Sequence, residues 1–370
     1  MNAIPSRRIR VLVVDDSSVV RRMITDALSR DPHIEVVGTA IDPYDARDKI
    51  QQLNPDVLTL DIEMPRMDGI AFLRILQQHH PIPVIIISSI STAGSEAAMA
   101  AMEAGAFDVL AKPTSAYSIG NLGDQLAMRV RAATVARRRT PQPARVSAVA
   151  EAPLPAAQFH PRQLILIGSS TGGTEALKVI LSQLPCGLPP MVIAQHIPAY
   201  FSRAFADRMN EICNLEVREA KEGDMLTPGL VLIAPGDYHL GIHWAGQGFQ
   251  VRLNQKPPVH HCRPAVDVLF RSAAQCPGAR IIAGILTGMG SDGAMGMQTL
   301  KSAGAQTFVQ DQASCVVYGM PRAAVELGVV DRILPLEQIP SAILETALRM
   351  SGPRDPGASI GRAHSVASVP

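Results

Sequence analysis

Residues 164–173 read Leu-Ile-Leu-Ile-Gly-Ser-Ser-Thr-Gly-Gly, and a helical pattern follows at Thr174–Leu184. A short apolar run, a glycine-rich turn and a helix in this order are typical of a βα unit in a parallel sheet. Gly168, Ser170 and Gly172 have the G-x-S-x-G spacing, which in this context presents a serine hydroxyl at the edge of the sheet. The same loop is also compatible with cradling a phosphate, although it lacks the lysine of a P-loop and the G-x-G-x-x-G spacing. The motif alone does not decide between the two.

The alternation of strands and helices continues through the second half of the chain. Further strand patterns lie at Met191–Gln195, Gly229–Ala234, Arg280–Thr287 and Ala305–Val309, and helical patterns at Tyr200–Ile212, Pro264–Ala274, Ser291–Ala303 and Leu336–Met350. A β-hairpin is predicted from Tyr238–His243 and Phe249–Leu253. These patterns predict a doubly wound, Rossmann-like α/β domain over residues 162–350.

The first half has the same texture. Strand patterns lie at Ile9–Val14, Ile34–Gly38, Asp56–Leu60, Pro83–Ser89 and Phe107–Leu110, with helical patterns at Ser17–Arg30, Pro43–Leu53, Asp68–Gln78, Gly94–Ala104 and Ile119–Arg131. They predict a (βα)5 domain with a parallel sheet over residues 1–128.

The two predicted domains are separated by residues 129–161, which carry six arginines and five prolines against a single acid, Glu151. Such a composition without apolar periodicity predicts a linker. Its basic run is interpreted as a solvated tether in preference to a docking segment for an acidic partner. Residues 351–370 are predicted to be a flexible tail.

Composition limits the possible partners and location. The chain of 370 residues has a formal net charge of +1, so no global field attracts nucleic acid or acidic lipid. No signal peptide and no apolar run of about 20 residues is recognisable, and membrane insertion is not expected. The five cysteines form no C-x-x-C pair and are interpreted as reduced packing residues, which favours a cytoplasmic protein.

Polar residues follow several strands of the first predicted domain. Asp15 and Asp16 follow the first strand, Asp61 the third, Ser88 ends the fourth, and Lys112 follows the fifth. Because ligands bind at the carboxyl ends of parallel strands, these groups are expected to converge. Clustered carboxylates need a cation such as Mg²⁺, and a lysine with a hydroxyl suits a phosphoryl group. The pattern predicts a metal-assisted phosphoryl acceptor.

Over roughly residues 8–128 the sequence resembles the receiver domains of two-component response regulators. The resemblance implies that Asp61 is the phosphoacceptor and that Mg²⁺ is held by Asp15, Asp16, Asp61 and the backbone carbonyl of Glu63. It also implies Ser88 and Lys112 as the switch residues that meet the phosphoryl group. Val109 departs from the pattern, because receivers often carry an aromatic switch residue there.

A serine hydroxyl needs a base, and a histidine base needs an orienting acid. His196 follows the Met191–Gln195 strand, which is predicted to neighbour the strand before Ser170. Asp292 lies in a glycine-rich loop after the Arg280–Thr287 strand, although Asp292 or Ser291 is equally suited to cap the next helix. His260 and His261 form a rival pair of histidines, but adjacent residues on an extended segment point in opposite directions. His239 and His243 are interpreted as structural.

Four segments of this half resemble the chemotaxis protein-glutamate methylesterases: residues 168–173, 194–196, 263–270 and 287–293. The order of receiver, linker and esterase is also that of the family. The resemblance implies Ser170 as nucleophile, His196 as general base and acid, and Asp292 as orienting carboxylate. It implies the backbone N–H of Met289 as oxyanion donor, with Thr171 beside the nucleophile.

The activity implied is demethylation of glutamyl methyl esters, and deamidation of glutamines, on methyl-accepting chemoreceptors. A chemotaxis histidine kinase would be the phosphodonor, phosphorylation would activate the hydrolase, and the catalytic domain would need no cofactor. Two other classes of function were weighed. A DNA-binding regulator is disfavoured because residues 162–350 contain fifteen basic and fifteen acidic residues and no helix-turn-helix pattern. A nucleotide-binding adaptor would use the 168–173 loop without catalysis.

Overall fold

The computed structural model describes residues 7–89, 91–112, 118–137 and 159–352. Within these ranges the chain folds into two parallel-sheet α/β domains, as the sequence predicts.

The N-terminal domain has one five-stranded sheet in the order β2-β1-β3-β4-β5, and every pairing is parallel. Its elements are β1 (Ile9–Val14), α1 (Ser18–Leu28), β2 (Ile34–Ala40), α2 (Pro43–Leu53), β3 (Val57–Leu60), α3 (Gly69–His79), β4 (Val84–Ser88), α4 (Thr92–Glu103), β5 (Asp108–Ala111) and α5 (Ser118–Arg137). Strands β3 and β4 are buried along their whole length because helices cover both faces of the sheet. The predicted (βα)5 domain is confirmed.

The C-terminal domain has a seven-stranded parallel sheet in the order β14-β13-β12-β6-β7-β9-β8. Its elements are β6 (Gln163–Ser169), α6 (Gly173–Leu181), β7 (Met191–Gln195), α7 (Phe201–Ile212), β8 (Glu216–Glu219), β9 (Leu230–Ile233), β10 (His239–Trp244), β11 (Phe249–Asn254), α8 (Val266–Ala274), β12 (Arg280–Ile285), α9 (Ala294–Ser302), β13 (Gln306–Gln310), α10 (Met320–Glu326), β14 (Arg332–Leu334) and α11 (Ile339–Arg349). Strands β10 and β11 pair antiparallel with each other, which confirms the predicted hairpin.

The central strand β6 pairs with β7 on one side and with β12 on the other. From β6 the chain first builds one half of the sheet and then crosses to build the other. In a parallel sheet this reversal of strand order leaves a crevice at the carboxyl ends of the central strands, where ligands bind. The loops after β6, β7 and β12 therefore border a common crevice.

The end of the first domain differs from the sequence prediction. Helix α5 continues to Arg137, although the linker was expected to begin at residue 129. The extension is held by packing, since Val130 and Ala133 are buried, and Arg131 pairs with Asp31. The remainder of the predicted linker, residues 138–158, and the tail from residue 353 lie outside the described residues.

The two domains share part of their hydrophobic core, which includes buried residues of both. Helix α4 of the first domain packs on helix α7 of the second, and at this boundary Arg208 Nε donates to Glu103 Oε1 over 2.8 Å. Across the described ranges, no helix combines the length and apolarity needed to cross a bilayer.

Candidate active site

Three loops at the carboxyl edge of the second sheet line one cavity of about 590 Å³. Ser170 follows β6, His196 follows β7, and Asp292 lies in the loop after β12. The predicted neighbourhood of β6 and β7 is confirmed, and the backbone N–H of His196 donates to the carbonyl of Ser169 over 3.0 Å. All three predicted side chains therefore border the same space.

The loop that carries Ser170 is held on both sides. Its backbone N–H donates to the carbonyl of Thr287 over 3.0 Å, and its carbonyl accepts from Gln195 Nε2 over 2.9 Å. Gly172 has φ of 78°, a left-handed conformation that favours glycine, and it opens helix α6. Ser170 is thus fixed at the helix N-terminus, where unpaired N–H groups favour negative charge.

His196 and Asp292 form a buried pair, with Nε2 and Oδ2 2.8 Å apart. Burial alone would lower the pKa of His196, but the charge of a Cys262 thiolate and the bond to Asp292 outweigh it and raise the pKa to about 10. Burial alone would raise the pKa of Asp292, but its bonds to His196 and to two backbone N–H groups hold it below its usual value. The carboxylate therefore stays ionised beside the imidazole.

The two backbone bonds of Asp292 come from the start of helix α8. Oδ2 accepts from Val266 N over 2.7 Å and Oδ1 from Asp267 N over 2.9 Å. Asp292 therefore caps α8 from a distant loop, and does not cap the helix that follows it. That helix, α9, begins at Ala294 with Gly293 as its N-cap, so the alternative cap roles for Asp292 and Ser291 are wrong.

The other ring nitrogen of His196 faces a cysteine. Cys262 Sγ lies 3.4 Å from Nδ1. Among the described residues, the Ser170 hydroxyl makes no hydrogen bond to the imidazole. The structure therefore joins His196 to Asp292 and places Ser170 in the same cavity, with a thiol at the nitrogen that a serine would need.

Met289 and Thr171 also line the cavity. Within the described part of the chain, neither backbone N–H has a hydrogen-bond acceptor, so both remain available to a ligand. The Thr171 hydroxyl is engaged, since it donates over 2.8 Å to Asp108 Oδ2 of the first domain. This bond joins strand β5 of one domain to the residue next to Ser170.

In the first domain, the predicted acidic residues meet at the edge of the sheet. Carboxylate oxygens of Asp15, Asp16 and Asp61 lie within 4.8 Å of one another. Lys112 Nζ lies 2.6 Å from Asp61 Oδ2 and 3.1 Å from Asp15 Oδ2. Asp15 Oδ2 is buried, and the ammonium group of Lys112 lies close to it without the geometry of a hydrogen bond, so this oxygen retains a lone pair for a hard cation. These carboxylates fit a Mg²⁺ ion.

Burial dominates the ionisation of this cluster. It raises the pKa of Asp61 to about 6, with a further contribution from the charge of Asp15 and against the effect of Lys112. It also raises the pKa of Asp15, again against Lys112. Burial lowers the pKa of Lys112, but its bond to Asp61 and the charge of Asp15 raise it overall. Lys112 therefore remains a cation between two carboxyl groups.

The other predicted receiver residues have different surroundings. Ser88 is buried, and its hydroxyl donates to the carbonyl of Gly94 over 3.1 Å. The backbone N–H of Glu63 donates to Asp61 Oδ1 over 3.3 Å. Val109 is buried in strand β5, beside Asp108. Strand β5 therefore contains both Val109, at the position that is often aromatic in receiver domains, and Asp108, which contacts Thr171.

Residues of the first domain also line the cavity that contains Ser170, His196 and Asp292. Lys112, Gln125, Met128 and Arg129 line it together with the residues of the second domain. Arg129 Nε lies 3.1 Å from Asp108 Oδ2, the same oxygen that Thr171 contacts. Strand β5 and helix α5 therefore form a polar contact directly over the nucleophile loop.

Several residues of the site were not predicted from sequence. Gln195 was noted only as a neighbour of His196, and Cys262 was interpreted as a packing residue. His260 and His261 were expected on an extended segment, but their φ values of 50° and 62° make a left-handed turn, and both line the cavity. No glycine stands near these histidines in the sequence, so nothing in it indicated a left-handed turn. The sequence also contains no signal for a single contact between distant residues, such as that of Asp108 with Thr171.

The comparisons with known proteins agree with this division into two domains. Residues 11–121 match the family described as response regulator receiver domain, and residues 165–343 match the family described as CheB methylesterase. The chain is therefore a response regulator whose second domain is an enzyme domain of the hydrolase class.

The relatives extend the match over most of the chain. A protein of Syntrophus aciditrophicus named protein-glutamate methylesterase/protein-glutamine glutaminase 2 is 49% identical, over 91% of this chain and 98% of that protein. A protein of the same name from Pseudomonas aeruginosa is 47% identical, over 92% of this chain and 97% of that protein. The chain belongs to the protein-glutamate methylesterase/protein-glutamine glutaminase family. Among solved structures, the Thermotoga maritima CheB methylesterase catalytic domain is 39% identical, with a TM-score of 0.48, over 49% of this chain and 97% of that chain.

Proposed function

We propose that this protein hydrolyses glutamyl methyl esters, and deamidates glutamines, on methyl-accepting chemoreceptors, and that phosphorylation of Asp61 activates it. The observation that carries the proposal is the His196–Asp292 pair at 2.8 Å, in one cavity with Ser170 and beneath the receiver domain. A chemotaxis histidine kinase would supply the phosphoryl group in the cytoplasm, and the activity would contribute to sensory adaptation.

The reaction is an acyl transfer in which Ser170 attacks the γ-carboxyl carbon of the substrate. Because Nε2 of His196 is bonded to Asp292, Nδ1 is the nitrogen that accepts the serine proton. The carboxylate stabilises the imidazolium that forms. As the bond from the acyl carbon breaks, the imidazolium gives its proton to the departing methoxide oxygen, which leaves as methanol, or to the departing amide nitrogen of a glutamine, which leaves as ammonia. Water, activated by the same base, releases free glutamate and restores Ser170.

The developing oxyanion needs hydrogen-bond donors close to the nucleophile. The backbone N–H groups of Met289 and Thr171 border the cavity and have no other acceptor among the described residues. Removing a donor of this kind typically costs about 10²–10³ in rate.

In the receiver domain, Asp15, Asp16 and Asp61 would hold Mg²⁺ together with the Glu63 carbonyl. The ion supplies charge that stabilises the phosphoryl group during its transfer to Asp61. Lys112 pairs with the charge on Asp61, and Ser88 would leave the Gly94 carbonyl to bond the new phosphoryl oxygens. Ser88 ends β4 and Lys112 follows β5, so phosphorylation acts on the strands that approach the catalytic domain.

Control by phosphorylation follows from the residues that cover the cavity. With Asp108 bonded to Thr171 and helix α5 lining the cavity, the receiver domain would hinder a receptor segment from reaching Ser170. Phosphorylation would favour a second arrangement in which this contact is broken. Esterase activity should therefore rise when beryllofluoride, a phosphate mimic, is added with Mg²⁺. An unchanged rate would defeat the regulatory part of the proposal.

The catalytic part is tested separately with a fluorophosphonate probe, which labels activated serines. Labelling should occur at Ser170 and be lost in His196→Ala, while His33→Ala, an exposed histidine of the receiver domain, should leave it intact. Labelling that survives in His196→Ala would contradict the proposed role of the base. Such a result would favour a loop that binds ligands without catalysis.

A further inference from the structure

Cys262 lies in the catalytic cavity in an arrangement that activates thiols. Its Sγ is 3.4 Å from Nδ1 of His196, and Nε2 of the same ring is 2.8 Å from Asp292 Oδ2. A nucleophile, a base and an orienting carboxylate thus follow one another across the imidazole. The thiols of Cys186 and Cys213, which are also partly exposed, make no hydrogen bond to a histidine ring within the part of the chain that the structure describes.

The position of Cys262 is fixed by a tight turn. Its backbone N–H donates to the carbonyl of Val259 over 2.9 Å, and its own carbonyl accepts from Val259 N over 3.1 Å. His260 and His261 between them have positive φ values. The next residue is anchored as well, because Arg263 is bonded to Asp237 and to two backbone carbonyls. The thiol is therefore held against His196.

The cavity has room for a small polar molecule beside this thiol. Ser170, only 8% exposed, lines the same space, and its hydroxyl has no hydrogen-bond partner among the described residues. Cys262 itself is partly exposed. A molecule of a few heavy atoms can therefore enter the cavity that Cys262, Ser170 and His196 line together.

The remaining cysteines provide internal comparisons. Cys276 and Cys315 are buried, and burial raises the pKa of Cys276. Burial raises the pKa of Cys213 from 9.0 to about 11, which lowers its thiolate fraction at neutral pH about 100-fold. Cys186 is partly exposed. Since the thiolate is the reactive form, Cys213 should be the least reactive of the partly exposed cysteines.

We propose that Cys262 is a site of reversible oxidation by peroxides, at which modification switches off the esterase. His196 takes the thiol proton, and the thiolate sulfur attacks one oxygen of hydrogen peroxide. An S–O bond forms as the O–O bond breaks, so that sulfur is oxidised and the peroxide oxygen is reduced. The hydroxide that leaves takes the proton from His196 as water, and Cys262 becomes a sulfenic acid.

The modified side chain blocks the base directly. The sulfenic acid places an oxygen in the space between Cys262 and His196 Nδ1, the nitrogen that would accept the proton of Ser170. Thiols reduce a sulfenic acid back to the cysteine, so inhibition should be reversible. The loss of activity rests on the function proposed above, whereas the oxidation of Cys262 does not.

The oxidation is tested by treating the full chain with hydrogen peroxide and dimedone, which traps sulfenic acids, and mapping the adducts by peptide mass spectrometry. The adduct at Cys262 should exceed those at Cys186 and Cys213 by at least about tenfold, because only Cys262 has an adjacent base. His196→Ala should lower it to their level, while His33→Ala should not. Equal trapping at the three cysteines, or trapping unaffected by His196→Ala, would overturn the proposal.

The effect on activity is measured as the rate after peroxide divided by the rate of the same variant before treatment. This ratio should fall at least about tenfold in the wild type, recover with dithiothreitol, and stay near one in Cys262→Ala. Cys186→Ala is the matched control and should remain sensitive. If Cys262→Ala is inactivated like the wild type, the switch is disproved even where trapping succeeds. If no variant hydrolyses ester before treatment, the proposed function fails and the trapping result still decides the oxidation.

Discussion

At the scale of single residues, the site depends on which groups meet the imidazole of His196. Asp292 is hydrogen-bonded to Nε2 of this ring through Oδ2. Its two carboxylate oxygens also accept the backbone N–H groups of Val266 and Asp267 at the start of α8. This carboxylate therefore has a structural and an electrostatic task at once. Cys262 occupies the region of Nδ1. The two partners suggest separate experiments, one on rate and one on pH dependence.

Replacing Asp292 by asparagine should lower the rate of ester hydrolysis by about 10³–10⁴, because the amide cannot stabilise the imidazolium as a carboxylate does. The oxygen of the amide can still accept from one of the two α8 backbone N–H groups, so the protein should fold with reduced stability. Steady-state kinetics with circular dichroism as a folding check measures the effect. Asp207→Asn, an exposed carboxylate in the same domain, is the control. A loss below about tenfold would exclude the orienting role.

The raised pKa of His196 predicts a direction for the pH profile. A general base must be neutral, so the rate should rise as the pH rises through the pKa of His196, which is about 10 with the Cys262 thiolate beside it. Cys262→Ala removes one of the charges that raise this pKa. The acid limb of kcat/KM should therefore move to lower pH in Cys262→Ala and stay in place in Cys186→Ala. A limb that moves upward or does not move would contradict the assignment.

At the scale of the elements, the loop between β6 and α6 is packed too tightly for any side chain at Gly173. A Cβ there would lie 2.7 Å from Ser169 Cβ and within van der Waals distance of Gln195 Oε1. Gln195 in turn holds the carbonyl of Ser170 and accepts from Ser169 Oγ. The position of the nucleophile thus depends on a glycine three residues away.

Gly173→Ala should therefore lower the free energy of unfolding by about 1–3 kcal/mol, the usual cost of overpacking a buried site, and lower the rate as Gln195 is displaced. Thermal or urea unfolding together with ester hydrolysis measures both effects. Gly241→Ala is a suitable control, because its Cβ would meet its nearest atoms at 3.4 Å. A fully stable and fully active Gly173→Ala would show that Gln195 does not position Ser170.

Most of the elements could be predicted from sequence, because buried parallel strands are continuous apolar runs. The sequence also predicted that β6 and β7 are neighbours in the sheet, because a single helix connects them. Strands β8 and β14 and helix α10 were missed, since they are short and carry no strong periodicity. The predicted start of α9 at Ser291 is three residues too early. The prediction used only neighbouring residues, whereas the side chain of Asp292 is bonded to the start of α8, which is distant in the sequence.

Contacts between residues far apart in the sequence were also beyond prediction. Cys262 is brought to His196 by a left-handed turn at His260 and His261, and the sequence has no glycine there to indicate such a turn. Asp108 reaches Thr171 only because two separately folded domains pack together. Local patterns predict where a strand ends, but they do not specify which side chain of another segment will face it.

At the scale of the whole molecule, our proposal is that the receiver domain covers the cavity and that phosphorylation releases it. Asp108 joins this domain to the loop that carries Ser170, with Arg129 as its second partner. Strand β5, which contains Asp108, leads directly to Lys112 at the proposed phosphorylation site. One short segment of the chain thus contains both Asp108, which contacts the second domain, and Lys112, which pairs with Asp61.

Asp108→Ala should raise the esterase rate of the unphosphorylated protein about tenfold, because losing a charge-assisted bond worth about 1.5 kcal/mol weakens the closed arrangement. The rate with beryllofluoride should change much less, since the contact is already broken in the open form. Glu96→Ala, an exposed carboxylate on α4, should change neither rate. A basal rate equal to that of the wild type would show that Asp108 does not hold the domains closed.

The most direct test of the account is methanol release from methylated chemoreceptor, measured with Mg²⁺ and beryllofluoride present. Ser170→Ala should lower the release at least about 10³-fold, while Cys262→Ala and Ser182→Ala, a change at an exposed serine of the same domain, should retain most of it. Comparing these three variants distinguishes the proposed nucleophile from an unrelated serine and from the thiol that contacts His196. Release that persists in Ser170→Ala, or that disappears instead in Cys262→Ala, would contradict the central claim that Ser170 attacks the ester.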